Sequence, residues 1–192
     1  MVKKQRKVIF LDRDGVINKD PESINKYSYV TRWSEFKFLP GAKRAIKKLA
    51  DAGYAIYVIS NQAGIAKGYF TLRALKSITK NMLREIEKGG GKIAGVFYCP
   101  HRDKDNCGCR KPKVGLFEKA LKIGDIDFKK TFFIGDKIMD VQAGRAIGCR
   151  TILVLCGKES LKNKKNWKPK PDHVKRDLVD AVDWILKKRG KG

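Results

Sequence analysis

Short runs of β-branched and aromatic residues recur along this chain, separated by stretches with helical periodicity. That alternation restricts the fold to an α/β, doubly wound, mainly parallel sheet. The runs are residues 8–11, 55–59, 96–98, 131–134 and 151–155, apolar at consecutive positions, as strands covered on both faces must be. Between them, Ala42, Ala45, Ile46 and Leu49 share one face of a predicted helix over 41–49. Leu72, Leu75, Ile78, Met82 and Ile86 stripe a second, with Thr71 as its N-cap and Gly89, Gly90 and Gly91 as its stop. Helices are also expected over 114–123, 139–147 and 178–188. Two segments interrupt the pattern, 19–40 and a lysine-rich loop at 157–171. Neither is large enough to form a separate cap domain, so the 192 residues are expected to make one domain. The first could fold over a site, and the second reads as a surface excursion before the last helix.

In such sheets ligands bind beyond the carboxyl ends of the strands, which makes strand-ending residues the candidates for chemistry. The first strand runs into Asp12-Arg13-Asp14-Gly15 and the fourth into Gly135-Asp136, with Asp140 one helical turn later. Carboxylates delivered to one edge are costly without a cation. Mg2+ is the natural one, because an incomplete shell of protein oxygens leaves room for water and a substrate phosphate. The second strand ends in Ser60-Asn61-Gln62, a hydroxyl and two amides suited to phosphate oxygens.

The other dense signal lies at 99–109. Cys99, His101, Cys107 and Cys109 follow a C-x-H-x5-C-x-C spacing in a polar, loop-like stretch that leads directly into Arg110-Lys111-Pro112. Three thiolates and an imidazole form a closed structural Zn2+ set with no open position for catalysis. Cys149 and Cys156, in apolar surroundings, read as reduced core thiols.

With strand-end DxD, SNQ and GD motifs and this cysteine loop, the chain resembles the haloacid dehalogenase (HAD) superfamily from residue 8 to about 155. Within it, the chain is similar to the subfamily of heptose-bisphosphate and histidinol-phosphate phosphatases, in which a C-x-H…C-x-C-R-K-P loop is typical. The resemblance implies a HAD-like Rossmannoid phosphatase with Asp12 as nucleophile and Asp14 as general acid and then base. It implies Mg2+ on Asp12, the Asp14 carbonyl and Asp136, with Asp140 ligating through water. Ser60 and Lys111 would grip the transferred phosphoryl group. Asn61, Gln62 and Arg110 would meet substrate, and Lys137 would orient the site. The segment at 60–71 and Gly135-Asp136-Lys137 resemble the heptose enzymes, so loss of the C7 phosphate of a heptose 1,7-bisphosphate is the expected reaction. The short zinc loop is the feature that keeps histidinol phosphate as the alternative.

Composition adds a partner question. Lys and Arg number 44 against 20 Asp and Glu, a formal charge of +24, which suits phosphorylated ligands or nucleic acid. The charge is spread along the whole chain, and most lysines read as solvated helix faces. One cluster, Trp167 among Lys162, Lys164, Lys165, Lys168 and Lys170, could serve a polynucleotide. No apolar run approaches membrane-spanning length, and the first residues lead into a strand. A cytoplasmic monomer acting on a sugar phosphate or bisphosphate is therefore the expectation.

Overall fold

The computed structural model describes residues 7–121 and 126–189. Among these residues six strands form one all-parallel sheet: β1 (Lys7–Leu11), β2 (Tyr54–Asn61), β3 (Gly95–Cys99), β4 (Phe132–Gly135), β5 (Arg150–Val154) and β6 (His173–Lys175). Their order is β3-β2-β1-β4-β5-β6, so the winding reverses between β1 and β4. Among the described residues five α-helices cover the faces: α1 (Ala42–Asp51), α2 (Leu72–Lys88), α3 (Gly115–Leu121), α4 (Ile138–Ala146) and α5 (Leu178–Arg189).

The period of two in β1 sorts its side chains into two cores. Ile9 and Leu11 pack with Ile46 and Leu49 of α1, Ile78 and Met82 of α2, and Ala181 and Ile185 of α5. Val8 and Phe10 face the other way, onto Leu116, Phe117 and Ala120 of α3 and Ala143 of α4. The α2 boundaries follow the local signals. Thr71 accepts a hydrogen bond from the Ala74 N–H at 3.1 Å, and Gly89 stands at the C-cap. The helix expected over 114–123 is described as far as Leu121, and Ile123 lies outside the described residues.

Both interrupting segments are anchored. Val30 and Phe36, with the neighbouring Val16 and Ile17, belong to the core cluster that holds residues of α1, α2 and α5, which fixes the segment at 19–40 against the body. In the lysine-rich loop, Trp167 is 3% exposed and packs against Val141 and Leu153, and its Nε1 donates to Glu159 at 2.9 Å. The indole is thus an internal anchor and not a platform for stacking bases. The loop leads into β6, a strand of three residues with one apolar position among them, too weak a pattern to stand out in the sequence. Among the described residues no helix is long and apolar enough to cross a membrane. Trp167→Ala should therefore cost about 3 kcal/mol of stability, measured by urea unfolding, the range for truncating a buried aromatic. A loss below about 1 kcal/mol would mean the loop is not held this way.

Candidate active site

The switch point gathers the carboxylates. Asp12 follows β1 and Asp136 follows β4, on neighbouring strands that pair Leu11 with Ile134, and the Asp12 N–H donates to the Ile134 carbonyl at 2.9 Å. Asp140 projects from the first turn of α4, and one oxygen from each of the three residues lies within 4.8 Å of the others. All three are buried, and Asp136 is fully so. Glycines make the room. A Cβ on Gly15, which has φ +82°, or on Gly157 would overlap the Asp136 carboxylate, and one on Gly135 would overlap Asp140. The Asp140 carboxylate sits within the cluster while its Oδ2 also accepts from the Lys137 N–H at 3.1 Å.

Two lysines meet this charge. Lys111, 2% exposed, places Nζ 2.9 Å from Asp12 Oδ1 and 2.6 Å from Asp140 Oδ1, and donates to the Ile59 carbonyl at 2.9 Å. Burial opposes its charge, but Asp12 and Asp140 outweigh burial and raise its pKa. Lys137 is raised likewise: burial opposes it, and Asp136, Asp12 and Asp140 prevail. Asp12 is pushed up by burial yet held below the usual carboxylate range by Lys111 and Lys137. Asp136 goes the opposite way, well up, through burial and the neighbouring Asp12 and Asp140, against the pull of Lys137. Its Oδ1 is buried with no hydrogen-bond partner, while Oδ2 accepts from the Lys158 N–H at 3.0 Å. An unmatched carboxylate oxygen beside two more carboxylates is a donor set that fits a hard divalent cation.

Asp14 stands apart from the cluster in a nest of donors. Arg13 Nε and Nη2, Asn18 Nδ2 at 2.8 Å and Gln62 Nε2 at 2.7 Å all donate to its carboxylate. Ser60 Oγ accepts from the same Gln62 amide at 3.2 Å. Gln62 is thus fully buried and turned toward Asp14, not toward open space. Asn61 also works inward: its side-chain oxygen accepts from the Lys111 N–H at 3.0 Å and its amide donates to the Lys111 carbonyl at 3.1 Å. The pair of bonds fixes the backbone from which Lys111 reaches the carboxylates.

At the end of β3, Cys99, His101, Cys107 and Cys109 converge as one group. The Cys109 sulfur lies 3.3 Å from that of Cys99, 3.5 Å from that of Cys107 and 3.4 Å from His101 Nδ1, and Cys99 lies 3.6 Å from Cys107 and 3.7 Å from His101 Nδ1. A tetrahedron with metal–sulfur bonds of about 2.3 Å has edges of about 3.8 Å, so the set is close to what Zn2+ requires. Burial would raise the Cys107 thiol, but backbone N–H groups of Cys109 and Arg110 and the neighbouring sulfurs bring it down to about 6. Burial pushes Cys99 up to about 12, so a metal there would have to displace its proton.

A cleft of about 470 Å³ opens over these groups, lined by Asp14, Asn61, Arg110 and Lys137 and by residues from the segment at 19–40. Arg110 points into it, braced on the His101 carbonyl at 3.3 Å and 3.4 Å from Asp103. Ser60, Gln62 and Lys111 lie beneath the floor. Two site residues are not expected from the sequence: Arg13, fully buried between two aspartates, and Lys158, whose backbone N–H reaches Asp136 and whose side chain pairs with Glu22. Spacing carries no signal for Lys158, which is brought in by the loop leaving β5.

A parallel sheet ends neighbouring strands in Asp12 and Asp136, with Lys111 between the carboxylates, as the resemblance to the HAD superfamily leads one to expect. The HAD-hydrolase-like family profile matches residues 108–181, and the chain belongs to this family and is a phosphatase. It is 36% identical over 182 residues to the D-glycero-β-D-manno-heptose-1,7-bisphosphate 7-phosphatase of Neisseria meningitidis serogroup A, covering 94% of this chain and 95% of that one. The Haemophilus ducreyi protein of the same name is 35% identical over 188 residues, covering 94% and 98%. Among solved structures, D,D-heptose 1,7-bisphosphate phosphatase from B. bronchiseptica, complexed with magnesium and phosphate, superposes with a TM-score of 0.84 at 32% identity, covering 95% of this chain and 99% of that one. The crowding around Asp136 gives a direct test. Gly157→Ala should lower kcat/KM for phosphate release by about a hundredfold, the cost of a displacement near 1 Å at a reacting centre. A fully active variant would show that Asp136 has room to spare.

Proposed function

We propose that this protein is a Mg2+-dependent phosphatase that removes the 7-phosphate of D-glycero-D-manno-heptose 1,7-bisphosphate through an aspartyl-phosphate. The observation that carries it is the unbalanced charge at the switch point. Three buried carboxylates, Asp12, Asp136 and Asp140, face two ammoniums, Lys111 and Lys137, which leaves one net negative charge and the unpartnered Asp136 Oδ1. A divalent cation reverses that sign and prepares the site for a phosphoryl group. Asp12, Asp136 and the Asp14 carbonyl would hold Mg2+, with Asp140 beside them. When bound, Mg2+ supplies positive charge that offsets repulsion between the nucleophile and the phosphate. The name shared by the relatives given above favours the heptose bisphosphate over histidinol phosphate.

The reaction then uses the chain's own groups in two displacements. An Asp12 oxygen forms a bond to phosphorus as the bond from phosphorus to the sugar oxygen breaks, and protonated Asp14 gives its proton to that leaving oxygen. The sugar alcohol departs. Asp14, now the carboxylate that Arg13, Asn18 and Gln62 surround, takes a proton from water as the water oxygen attacks phosphorus. The bond from phosphorus to Asp12 breaks, releasing orthophosphate and regenerating both carboxyl groups. Lys111, fixed by Asn61, offsets charge on the transferred group, and Ser60 lies beside it. Arg110 and Lys137 meet the substrate from the cleft.

Zn2+ on Cys99, His101, Cys107 and Cys109 would serve as a brace. Cys109 is covalently joined to Arg110 and so to Lys111, and positioning charge in advance leaves little reorganisation for the reaction itself. Metal analysis should find one Zn2+ per chain in the unmodified protein and none in Cys109→Ser, and the substitution should lower the melting temperature and phosphate release together. Retention of both would remove the bracing role. For the reaction, Asp12→Asn should abolish Mg2+-dependent phosphate release from the heptose bisphosphate and leave no acid-stable phosphoprotein after quenching. Turnover of histidinol phosphate or of a 3′-phosphorylated oligonucleotide in preference to the heptose bisphosphate would overturn the substrate assignment.

A further inference from the structure

The mouth of the cleft carries five cations, and they differ in what neutralises them. Lys137 faces the buried carboxylates, Lys158 pairs with Glu22 and lies 3.7 Å from Asp20, and Arg110 leans on Asp103 and the His101 carbonyl. Lys26 and Lys67 line the same cleft, and among the described residues neither has a carboxylate within ion-pair distance. Each is seated on an aromatic ring instead. Lys67 Nζ lies 5.3 Å from the Tyr29 ring centroid and 5.8 Å from that of Tyr69, and Lys26 Nζ lies 5.2 Å from that of Tyr27. Tyr27 and Tyr69 touch across the mouth with centroids 5.0 Å apart, which joins the two seats into one wall.

A ring face attracts an ammonium through its quadrupole and restricts where the side chain goes, but it does not cancel the charge. The full positive charge therefore remains available to an incoming anion, on side chains that have already lost part of their freedom. The backbone beneath them is also fixed. Asn25 accepts from the Tyr27 N–H at 2.9 Å and donates to the Tyr29 carbonyl at 2.8 Å, while the Lys67 N–H donates to the Ala63 carbonyl at 3.0 Å. Arg102, in the loop of the cysteine cluster, donates through Nε to the Ala66 carbonyl at 2.8 Å, tying the Lys67 turn to that loop.

We propose that Lys67 and Lys26, held on the Tyr29, Tyr69 and Tyr27 rings, bind the second phosphate of the substrate and make this enzyme selective for bisphosphates over monophosphates. The inference rests on the phosphatase reading given above and deepens it, because it assigns the group that recognises the phosphate that is not cleaved. A dianion is the ligand that two unneutralised ammoniums at one cleft mouth would select, and the carboxylates deeper in the cleft would repel it from the reacting end.

The test is the ratio of kcat/KM for heptose 1,7-bisphosphate to that for heptose 7-phosphate, measured with Mg2+. Lys67→Met should lower that ratio roughly tenfold or more, the value of one charge-assisted hydrogen bond, chiefly through a higher KM for the bisphosphate. Lys26→Met should act in the same direction. Tyr69→Leu, which keeps Lys67 but removes part of its seat, should lower the ratio roughly threefold, while Tyr69→Phe should preserve it. Lys80→Met, on the exposed face of α2 away from the cleft, should leave it unchanged and serves as the control for lost positive charge. An unchanged ratio in both lysine variants, or no preference for the bisphosphate in the unmodified protein, overturns this proposal and leaves the phosphatase reading standing. Release of phosphate from neither sugar overturns the substrate reading itself, and the lysine assignment with it.

Discussion

Three carboxylates buried at the meeting point of two strands are the constraint around which the rest of this structure is arranged. Asp12, Asp136 and Asp140 would repel one another strongly at low dielectric, and isolated buried charges of this kind are not tolerated. Lys111 relieves two of them at once, spanning Asp12 and Asp140 with its last donor on the Ile59 carbonyl. Asp136 is left as the group with an unmatched oxygen, and burial and its neighbours hold its pKa well above the ordinary range. The glycines at 15, 135 and 157 follow from the same crowding, because any side chain there would displace a carboxylate.

The lysine that relieves this repulsion depends in turn on a distant-looking element. Lys111 is two residues beyond Cys109, and its backbone is clasped from the other side by Asn61 at the end of β2. Cysteine cluster and strand end thus hold one peptide between them. The same loop reaches the turn bearing Lys67 through Arg102 and the Ala66 carbonyl, so one brace serves both the floor of the cleft and its rim. The charge of +24 has local meaning here: a few cations are placed at the site, while Trp167, at the centre of the lysine-rich loop, is spent on packing.

Much of this was legible in the chain. The alternation of apolar runs with helical stripes specified the parallel sheet, because strands covered on both faces have no polar alternation to confuse the reading. Asp12 and Asp136 could be placed at one edge because each terminates such a run, and the four metal-type ligands could be grouped because they are local in sequence. Four kinds of feature were hidden. The strand β6 is three residues long with one apolar position, below what periodicity can detect. Arg13 and Asn18 are buried polar residues whose partners are fixed only when the chain turns back on itself around Asp14. Gln62 was expected at the substrate from its place beside Ser60 and Asn61, but the alternation along the strand end turns it beneath the floor toward Asp14. The tyrosine and lysine wall joins residues 27 and 69, a pairing that no local spacing announces.

The central claim is that the carboxylate cluster is incomplete without a divalent cation. Thermal unfolding of the unmodified protein and of Asp136→Asn, each in chelator and in excess Mg2+, tests it most directly. At a Mg2+ concentration about a hundredfold above its Kd, binding to the folded state alone adds about 2.7 kcal/mol. For a chain of this size that corresponds to a rise of roughly 5–10 °C in the melting temperature. The account predicts such a rise in the unmodified protein and its loss in Asp136→Asn. Equal melting temperatures with and without Mg2+ in the unmodified protein would contradict it.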